Sequence, residues 1–297
     1  MQILDTGNIV FAAIFVDLAK EKARTVELGY LRHLILNSIR ANNIKFKSKY
    51  GELVLAVDSP SNWRRDKYPW YKANRTISRN ASMFDWKDIF KKLDTIYGEL
   101  EKYMPYKFIR QEGCEADDII GTFASHFEEL RSDPQEKLLI ISQDKDFGQL
   151  QKYKWVHQYK PCQKVDFKEP NPKISLMELI CRGDSSDGIP NIKSPTDSFI
   201  LKKRQSPVTT KFIKSIIDTN GECMTEEVKQ LFLENEELIS LDKTPQNLQD
   251  LILAKYKEQT PNKDFSKILA YFASKNLNVL ADQLNDFIPF KRSENNG

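Results

Sequence analysis

The sequence predicts an α/β fold in which a central, mostly parallel sheet is flanked by helices and followed by a smaller all-helical C-terminal domain. In the first half of the 297 residues, short apolar runs alternate with longer segments whose apolar residues recur at helical spacing. The short runs are apolar throughout, as in parallel strands that are covered on both faces. From residue 174 onward helical patterns dominate and clear strand runs are missing.

The predicted strands of the first half are short, and longer helical segments separate most of them. The strands cover residues 2–4, 53–57, 108–109 and 138–142. The helices cover residues 26–42, 85–104 and 116–130. Proline and glycine residues cluster between residues 170 and 190, where the pattern changes. We therefore predict an α/β domain over residues 1–180 and a helical domain over residues 181–297.

Composition and charge exclude several classes of protein. With 40% hydrophobic residues, 29% charged residues and a net charge of +3, the chain has the composition of a soluble globular protein. The four cysteines form no C-x-x-C motif, and no histidine stands at zinc-ligand spacing from them. The uncharged run over residues 6–16 is shorter than the roughly 20 residues of a membrane-spanning helix. We expect a cytoplasmic protein with reduced thiols and no membrane contact.

Three acidic residues stand at equivalent positions, just beyond the ends of three predicted strands. Asp5 follows the first strand, Asp58 follows the second, and Asp144 comes two residues after Ser142. In an open parallel sheet, the carboxyl ends of the strands share one edge, and ligands bind at that edge. Carboxylates gathered there repel one another unless a cation is present. Because hard cations such as Mg²⁺ prefer oxygen ligands, this placement predicts a metal site.

Further acidic residues stand in short motifs that can reach the same edge. Residues 115–118 (Glu-Ala-Asp-Asp) begin a predicted helix, where side chains at i and i+3 share a face. Asp146 follows two residues after Asp144, and Asp184 and Asp187 lie in a glycine-flanked turn. Each motif alone also has a structural explanation, as a helix cap, a contact with the helix dipole or turn chemistry. Their joint occurrence favours a metal-dependent active site.

Several segments follow one another in a recognisable order. They are residues 32–39 (RHLILNSI), 63–66 (WRRD), 71–75 (YKANR), 115–120 (EADDII), 141–147 (ISQDKDF) and 183–187 (GDSSD). This order resembles the 5′-nuclease superfamily, which includes flap endonucleases, the 5′-exonuclease domains of bacterial DNA polymerases and phage enzymes. The likeness is strongest to the branch of ribonucleases H from T-even-type bacteriophages, and it extends over most of the chain.

The resemblance implies a 5′-nuclease (PIN-like) fold with two metal sites, filled by Mg²⁺ or, as a substitute, by Mn²⁺. The first ion would be surrounded by Asp5, Asp58, Glu115 and Asp117. The second ion would be held by Asp146 and Asp187, with support from Asp184 and Asp118. Asp144 would lie near both ions. Two neighbouring ions can activate a water for in-line attack on a phosphodiester and stabilise the leaving oxygen.

Residues 63–75 combine five basic and four aromatic side chains. This mixture is typical of single-stranded nucleic-acid binding, in which cations meet phosphates and rings stack on bases. A solvated helix face with aromatic side chains packed inward is the alternative. By resemblance, Lys72 and Arg75 would contact the scissile phosphate, and together with Asp144 they form the predicted catalytic set. The predicted nucleic-acid contacts of this region are Trp63, Arg64, Arg65, Tyr71, Lys72, Arg75 and Arg79.

A second basic segment lies in the predicted C-terminal domain. Lys202, Lys203 and Arg204 belong to the part that aligns with the family's helix–hairpin–helix element, which grips duplex DNA by its backbone. Residues 191–197 (NIKSPTD) lack the family's Gly-x-Gly, so the motif is degenerate and the sequence does not support a potassium site. Solvated helix faces are the alternative explanation of the basic residues.

The resemblance also implies a role in lagging-strand DNA replication. The chain would be a magnesium-dependent 5′→3′ nuclease that removes RNA primers from RNA–DNA hybrids and degrades or cuts 5′ DNA ends and flaps. It would act as a monomer, in the host cytoplasm if phage-encoded, with a single-strand-binding protein and a sliding clamp as partners. Residues 287–290 (FIPF) could dock on a clamp, although a chain end folded onto the body is the favoured explanation.

Two functions of other classes stay open at this point. One is a phosphatase that uses Asp144 as its nucleophile, which would leave residues 63–75 unexplained. The other is a non-catalytic protein that binds branched DNA. The second alternative is disfavoured because every acidic position of the family pattern is filled in this sequence.

Overall fold

The computed structural model describes residues 1–21 and 24–289. Its strands are β1 (Gln2–Asp5), β2 (Leu53–Ala56), β3 (Lys107–Ile109), β4 (Leu138–Ile141), β5 (Val156–Lys160) and β6 (Val165–Phe167). They form one six-stranded sheet in the order β3-β2-β1-β4-β5-β6. Neighbouring strands are parallel except β5 and β6, which are antiparallel. The predicted mostly parallel sheet is confirmed, and β5 and β6 extend it beyond the predicted strands.

Helices follow most of the strands and make up nearly all of the regular structure after β6. The helices before β6 are α1 (Thr6–Glu21), α2 (Leu28–Tyr50), α3 (Trp63–Lys67), α4 (Ala73–Ala81), α5 (Trp86–Tyr103) and α6 (Ala116–Leu130). The helices after β6 are α7 (Pro172–Arg182), α8 (Thr210–Asp218), α9 (Glu226–Ile239), α10 (Gln246–Glu258), α11 (Phe265–Ser274) and α12 (Asn278–Ala281). Short 3-10 turns cover Asp146–Lys152, Leu241–Lys243 and Leu284–Phe287.

The strand register brings the first three predicted acids to one edge of the sheet. Leu4 of β1 lies opposite Leu55 of β2 and opposite Ile141 of β4. The three strands therefore end almost level with one another. Asp5 is the last residue of β1, while Asp58 and Asp144 follow shortly after the ends of β2 and β4. This edge is the carboxyl edge of a parallel sheet, where ligands bind in such folds.

Helices cover both faces of the sheet. On one face, α2, α5 and α11 pack against side chains such as Leu4 and Leu55. On the other face, α6 and α10 pack against Ile3 and Val54. Because successive side chains of a strand point to opposite faces, Ile3 and Leu4 belong to different cores. Smaller apolar clusters hold α7, α8 and α9 together.

The helices beyond residue 180 take part in both cores of the sheet. Ile268 and Phe272 of α11 belong to the first core, and Ile252 of α10 belongs to the second. Residue 180 itself lies inside α7. The division at residue 180 stays a prediction, and segments on its C-terminal side complete the packing of the sheet.

The last described residues fold onto the body of the protein. The ring of Phe287 is fully buried, with its centroid 5.2 Å from that of Phe272. In this conformation Phe287 is not available as part of a clamp-docking peptide, and residue 290 of that peptide lies outside the described residues. Within the described ranges, no helix has the length and apolar character that crossing a membrane requires.

Candidate active site

A cleft of about 700 Å³ opens at the carboxyl edge of the sheet. Five acidic side chains from four parts of the chain line it, namely Asp5, Asp58, Glu115, Asp117 and Asp144. Two basic side chains, Lys72 and Arg75, line it as well. The fold thus brings together the predicted ligands of the first ion and the three residues of the predicted catalytic set.

Asp5 and Asp58 are held in the cleft by hydrogen bonds from neighbouring segments. Asp5 accepts the hydroxyl of Ser142 at 2.7 Å and the N–H of Asn8 at 3.1 Å. Asp58 accepts the N–H of Ala116 at 2.8 Å, in the first turn of α6. The dipole of a helix favours a carboxylate at this end. These bonds leave lone pairs of both carboxylates unused, so each can still accept a further donor or an ion.

Burial and mutual repulsion disfavour the charged forms of these acids. Burial, together with the neighbouring Asp58 carboxylate, raises the pKa of Asp5 to about 7. Burial also raises the pKa of Asp117 well above its ordinary value; Lys72 opposes this shift, while Asp144 and Asp5 add to it. A bound cation would reverse this effect, since it stabilises the charged form of every carboxylate around it.

A second group of acids lies beside the first. Asp117, Asp146, Asp184 and Asp187 line a small cavity of about 30 Å³, so Asp117 borders both groups. Burial, followed by Asp144 and Asp184, raises the pKa of Asp146 to about 7. Asp144 accepts the N–H of Asp146 at 2.9 Å, and it therefore adjoins both groups as well. Two adjoining groups of carboxylates suit a pair of neighbouring ions.

Two cations and a tyrosine lie between the two groups of acids. Lys72 Nζ lies 2.6 Å from Glu115 Oε1 and 3.6 Å from Asp187 Oδ2. Arg75 donates to Asp187 Oδ1 at 2.7 Å. Tyr71 Oη lies 2.7 Å from Glu115 Oε2 and 3.0 Å from Asp187 Oδ2. Although burial opposes the charged form of Glu115, neighbouring cations, Lys72 foremost, lower the pKa of Glu115 to about 2.

Lys72 is placed by its backbone as well as by its ion pairs. It has φ 55° and ψ 18°, in the left-handed region, directly before the first residue of α4. Its N–H donates to the carbonyl of Asp187 at 2.8 Å, which holds the strained turn in place. A non-glycine residue in such a conformation costs about 1–3 kcal/mol and persists only where the surrounding structure enforces it.

The acids of the site fit a divalent cation by chemistry, but their side chains are not gathered around one. Among the described residues, no group of three or more His, Cys, Asp or Glu could hold a metal ion as the side chains stand. The contacts explain why, because Glu115 and Asp187 direct their oxygens toward Lys72, Arg75 and Tyr71. The donor set consists of carboxylates alone, which suits hard ions such as Mg²⁺ and Mn²⁺. A divalent ion at Glu115 and Asp187 would therefore compete with Lys72 and Arg75 for these oxygens.

Asp118, Trp63 and Arg64 form a buried polar cluster and do not line the cleft, although Arg64 borders the small cavity of the second acid group. Asp118 is fully buried and accepts Arg64 Nη1 at 2.8 Å, Trp63 Nε1 at 3.1 Å and Thr244 Oγ1 at 2.9 Å. Arg64 is only 1% exposed and also donates to the carbonyl of Leu238 at 2.8 Å. This placement argues against the predicted support of a metal by Asp118. It likewise argues against nucleic-acid contacts by Trp63 and Arg64, because a buried side chain cannot meet a polymer.

The remaining predicted nucleic-acid contacts differ in their accessibility. Arg65 is exposed, and Arg79 lines the cleft with its guanidinium carbon 5.0 Å from the ring centroid of Phe90. Tyr71 is buried with its hydroxyl between two acids, so its ring is not free to stack on a base. The basic residues Lys202, Lys203 and Arg204 are exposed in the turn region between α7 and α8.

Some residues of the cleft were not predicted from the sequence. Four aromatic side chains form an aromatic wall in the cleft, namely Phe11, Phe15, Phe84 and Trp86. They come from α1, from the first residue of α5 and from the segment just before it, and no local pattern shows that these segments meet. Gly7 carries a clearer signal, since it stands two residues after Asp5. A Cβ at Gly7 would lie 2.9 Å from Asp58 Oδ2, so only glycine leaves that carboxylate its place.

Two sequence families match the chain. Residues 1–174, more than half of its length, match the family described as 5′-3′ exonuclease, N-terminal resolvase-like domain. The chain belongs to the 5′-3′ exonuclease family. Residues 170–287 of this nuclease match the family described as T4 RNase H, C terminal.

Relatives with known names agree with this membership. The nuclease is 33% identical to the ribonuclease H of Enterobacteria phage T4 over 298 residues, which cover 96% of the chain and 95% of that protein. It is 32% identical over 175 residues to a 5′-3′ exonuclease of Buchnera aphidicola subsp. Schizaphis graminum, covering 54% of the chain and 55% of that protein. Because the relatives are nucleases, the phosphatase and the non-catalytic binding protein are set aside.

Solved structures share the fold. The bacteriophage T5 5′-exonuclease with bound zinc matches with a TM-score of 0.57 and 15% identity, over 87% of this nuclease and 98% of that chain. The T5 flap endonuclease in a complex with DNA and metal ions matches with a TM-score of 0.56 and 14% identity, over 86% and 99%. At these identities the likeness concerns the fold alone.

The raised pKa of Asp5 predicts how the metal-free nuclease responds to pH. The pKa of Asp5 is about 7 in the folded protein, whereas an aspartate in an unfolded chain titrates near pH 4. Between these values the folded state binds more protons, so this group contributes a loss of stability as pH rises from about 4 to about 7. We expect the Tm in EDTA to fall less steeply over this range in the Asp5→Asn protein than in the wild type.

The comparison of the two proteins removes the effects of groups that do not interact with Asp5. His157, whose lowered pKa acts in the opposite direction over part of the range, is present in both. Parallel Tm curves for wild type and Asp5→Asn would contradict the assignment of a raised pKa to Asp5. Differential scanning calorimetry at five pH values is sufficient for the measurement.

Proposed function

We propose that this nuclease depends on Mg²⁺, works in the 5′→3′ direction, and removes RNA primers from RNA–DNA hybrids during lagging-strand replication. It would also degrade or cut 5′ DNA ends and flaps. The observation that carries the proposal is the pair of acid groups that adjoin at Asp117, with Lys72 and Arg75 between them. The names of its relatives, a ribonuclease H and a 5′-3′ exonuclease, support the same substrates.

Each group of acids would hold one divalent ion. The first group consists of Asp5, Asp58, Glu115, Asp117 and Asp144. The second group consists of Asp146, Asp184 and Asp187, together with the shared Asp117. Two ions held by these residues would lower the pKa of an attacking water and would offset the charge of the leaving oxygen. Mg²⁺ is proposed because the donors are all carboxylates, and Mn²⁺ would substitute because it shares this preference.

The cations between the acid groups would act on the phosphate. A phosphodiester that meets both groups must lie at their border, which Lys72 and Arg75 already reach. If Glu115 and Asp187 served as metal ligands, the ammonium of Lys72 and the guanidinium of Arg75 would be available to the phosphate oxygens. Donors fixed at a place where negative charge develops stabilise the transition state more than the ground state.

The nucleic acid would contact the nuclease in two places. The aromatic wall and Arg79 line the same cleft as the acids, and stacked rings with a guanidinium suit a single strand. The exposed Lys202, Lys203 and Arg204 would hold the backbone of a duplex without reading its sequence. A 5′ end near a duplex junction offers both kinds of nucleic acid to one molecule.

The direct test is digestion of a 5′-labelled RNA–DNA hybrid and a 5′-flap DNA by the purified protein. We expect short 5′ products with Mg²⁺ or Mn²⁺ and no cutting with EDTA. The same substrates labelled at the 3′ end should give labelled strands that become progressively shorter, because degradation begins at the unlabelled 5′ end. This result establishes the direction. A protein that binds the flap but leaves it intact in Mg²⁺ would overturn the proposal.

The salt dependence of duplex binding tests the role of the second basic segment. The logarithm of the association constant falls linearly with the logarithm of the salt concentration, and each phosphate contact that is lost reduces the magnitude of this slope by about 0.9. We expect the slope to fall by roughly 2 when Lys202, Lys203 and Arg204 are all replaced by alanine, because Lys203 is already paired with Asp197 at 3.1 Å. Fluorescence anisotropy with a labelled duplex in Ca²⁺ gives the slope. An unchanged slope would show that the segment is only a solvated surface.

The proposed protein partners rest on the resemblance alone. They are a single-strand-binding protein and a sliding clamp, and the nuclease itself would be a monomer. Because Phe287 is buried, a clamp would have to recognise a surface other than the predicted peptide in this fold. Sedimentation of the nuclease with and without each candidate partner tests these expectations.

A further inference from the structure

We infer that residues 235–244, which end α9 and form the 3-10 turn after it, position the acid-bearing segments of the active site relative to one another. We call these residues the bracing segment. It contributes no acid to either acid group, and it lies in the C-terminal half of the chain. The inference rests on the proposed function, because it treats the two acid groups as the sites of the ions.

The first contact of the bracing segment holds the loop that carries Asp184 and Asp187. Asn235 is only 6% exposed, and its amide Nδ2 donates to the carbonyl of Ile180 at 3.0 Å and to the carbonyl of Pro190 at 2.8 Å. These carbonyls stand on either side of the loop. One buried amide therefore fixes both ends of the segment that delivers two acids of the second group.

The second contact holds the turn that carries Asp146. Gln149 lies in the 3-10 turn that begins at Asp146, and it is 5% exposed. Its Oε1 accepts the N–H of Leu241 at 2.8 Å, and its Nε2 donates to the carbonyl of Ile239 at 3.3 Å. The side-chain amide of Gln149 thus makes two hydrogen bonds with the backbone of the bracing segment, one accepted and one donated.

The third and fourth contacts hold α3 and the start of α6. Arg64 donates to the carbonyl of Leu238 at 2.8 Å, and Thr244 donates to Asp118 Oδ1 at 2.9 Å. Asp118 in turn accepts the N–H of Glu115 at 2.8 Å, which fixes the turn that presents Glu115 to the cleft. The ion pair of Arg64 with Asp118 joins the two contacts.

These contacts connect segments that the sheet does not align. The register of β1, β2 and β4 fixes the positions where Asp5 and Asp58 leave the sheet. The loop with Asp184 and Asp187 is not held by strand pairing in the sheet. The turn that begins at Asp146 comes several residues after the end of β4. Displacement of a reacting group by about 1 Å can reduce a rate 10²-fold. Partners that orient metal ligands typically affect metal affinity or activity 10–100-fold when removed.

The test compares Asn235→Leu with a matched control, Asn43→Leu. Asn43 is also a buried asparagine, 0% exposed, and its Nδ2 donates at 2.8 Å to the carbonyl of Asp286, distant in sequence. It joins α2 to the chain end and touches no acid-bearing segment. Leucine has the same branching and the same number of side-chain heavy atoms as asparagine, so each change removes a buried donor without leaving a cavity.

We expect the comparison of the two variants to distinguish a loss of positioning of the acids from a general loss of stability. Mn²⁺ binding without substrate, followed by the electron paramagnetic resonance signal of the free ion, should show one of two ions bound about 10–100-fold more weakly in Asn235→Leu. Its kcat on flap DNA should fall by a similar factor, while its KM stays near that of the wild type. Asn43→Leu should lower the Tm but keep the wild-type Mn²⁺ affinities and kcat.

A second variant, Gln149→Met, repeats the test at Asp146 and decides the outcome if Asn235→Leu does not fold. Wild-type Mn²⁺ binding and kcat in the folded variants would overturn the inference. Equal losses in Asn43→Leu would overturn it as well, because they would reduce the effect to general stability. A wild-type protein that binds no Mn²⁺ and cuts nothing would instead contradict the proposed function.

Discussion

The Asp144→Asn protein is expected to bind 5′-flap DNA with wild-type affinity and to cut it at least about 10²-fold more slowly. Asp144 lines the cleft and accepts the N–H of Asp146, so it adjoins both acid groups. Asparagine keeps the shape of the side chain and one acceptor oxygen. The substitution therefore removes the negative charge with little other change. Single-turnover cutting in Mg²⁺ and anisotropy in Ca²⁺ give the two quantities.

The matched control for this change is Asp133→Asn. Asp133 precedes β4, whereas Asp144 follows it, so the two acids lie toward opposite ends of the same strand. Asp133 accepts the N–H of Gln135 at 2.8 Å, and it contacts neither acid group. We expect normal cutting by this control. Normal cutting by the Asp144→Asn protein as well would show that the assignment of the metal sites is wrong.

The Lys72→Ala protein is expected to lose about 10²–10³-fold in cutting rate while both divalent ions still bind. Lys72 Nζ lies 2.6 Å from Glu115 Oε1 and 3.6 Å from Asp187 Oδ2, oxygens that an ion would need. Its removal takes away a competitor of the ions and, at the same time, the charge that would meet the phosphate. The Mn²⁺ affinity should therefore be equal to or higher than that of the wild type. Alanine keeps the β-carbon, so the left-handed backbone at this position is equally strained in both proteins.

The same charge is removed far from the site in Lys102→Ala. Lys102 lies in the last turn of α5, where it contacts the ring of Tyr103. We expect this protein to cut and to bind Mn²⁺ as the wild type does. A loss of Mn²⁺ binding in Lys72→Ala would mean that Lys72 is needed to hold the acids together. The proposed contact with the phosphate would then lack support.

The acidic edge could be predicted from the sequence because it depends on local patterns. Asp5 and Asp58 follow short apolar runs, and parallel strands bring such positions to one edge. β5 could not be predicted in this way, since Gln158 and Lys160 interrupt its apolar pattern. Gln158 is nevertheless 1% exposed, because it donates to the carbonyl of Ser142 at 3.2 Å across the sheet. The sequence alone does not distinguish a glutamine that is buried with a hydrogen-bond partner from one that is exposed to solvent.

The residues whose predicted roles the structure argues against share one physical feature. The sequence shows that Arg64 and Asp118 carry charges, but not that each is the other's partner. Thr244, which completes the cluster, stands 126 residues after Asp118. The aromatic wall was not predicted for the same reason, because Phe11 and Phe15 contact Trp86 only in the folded chain. Interactions between distant segments decide whether a charge faces the substrate or the protein interior.

The C-terminal helices on both faces of the sheet limit how this protein can be divided or recombined. Ile252, Ile268 and Phe272 cover apolar surface that the first 174 residues would otherwise expose to water. A fragment that ends at residue 174 would therefore expose two apolar faces to water at once, so the acidic edge depends on a cover that the second half of the chain supplies.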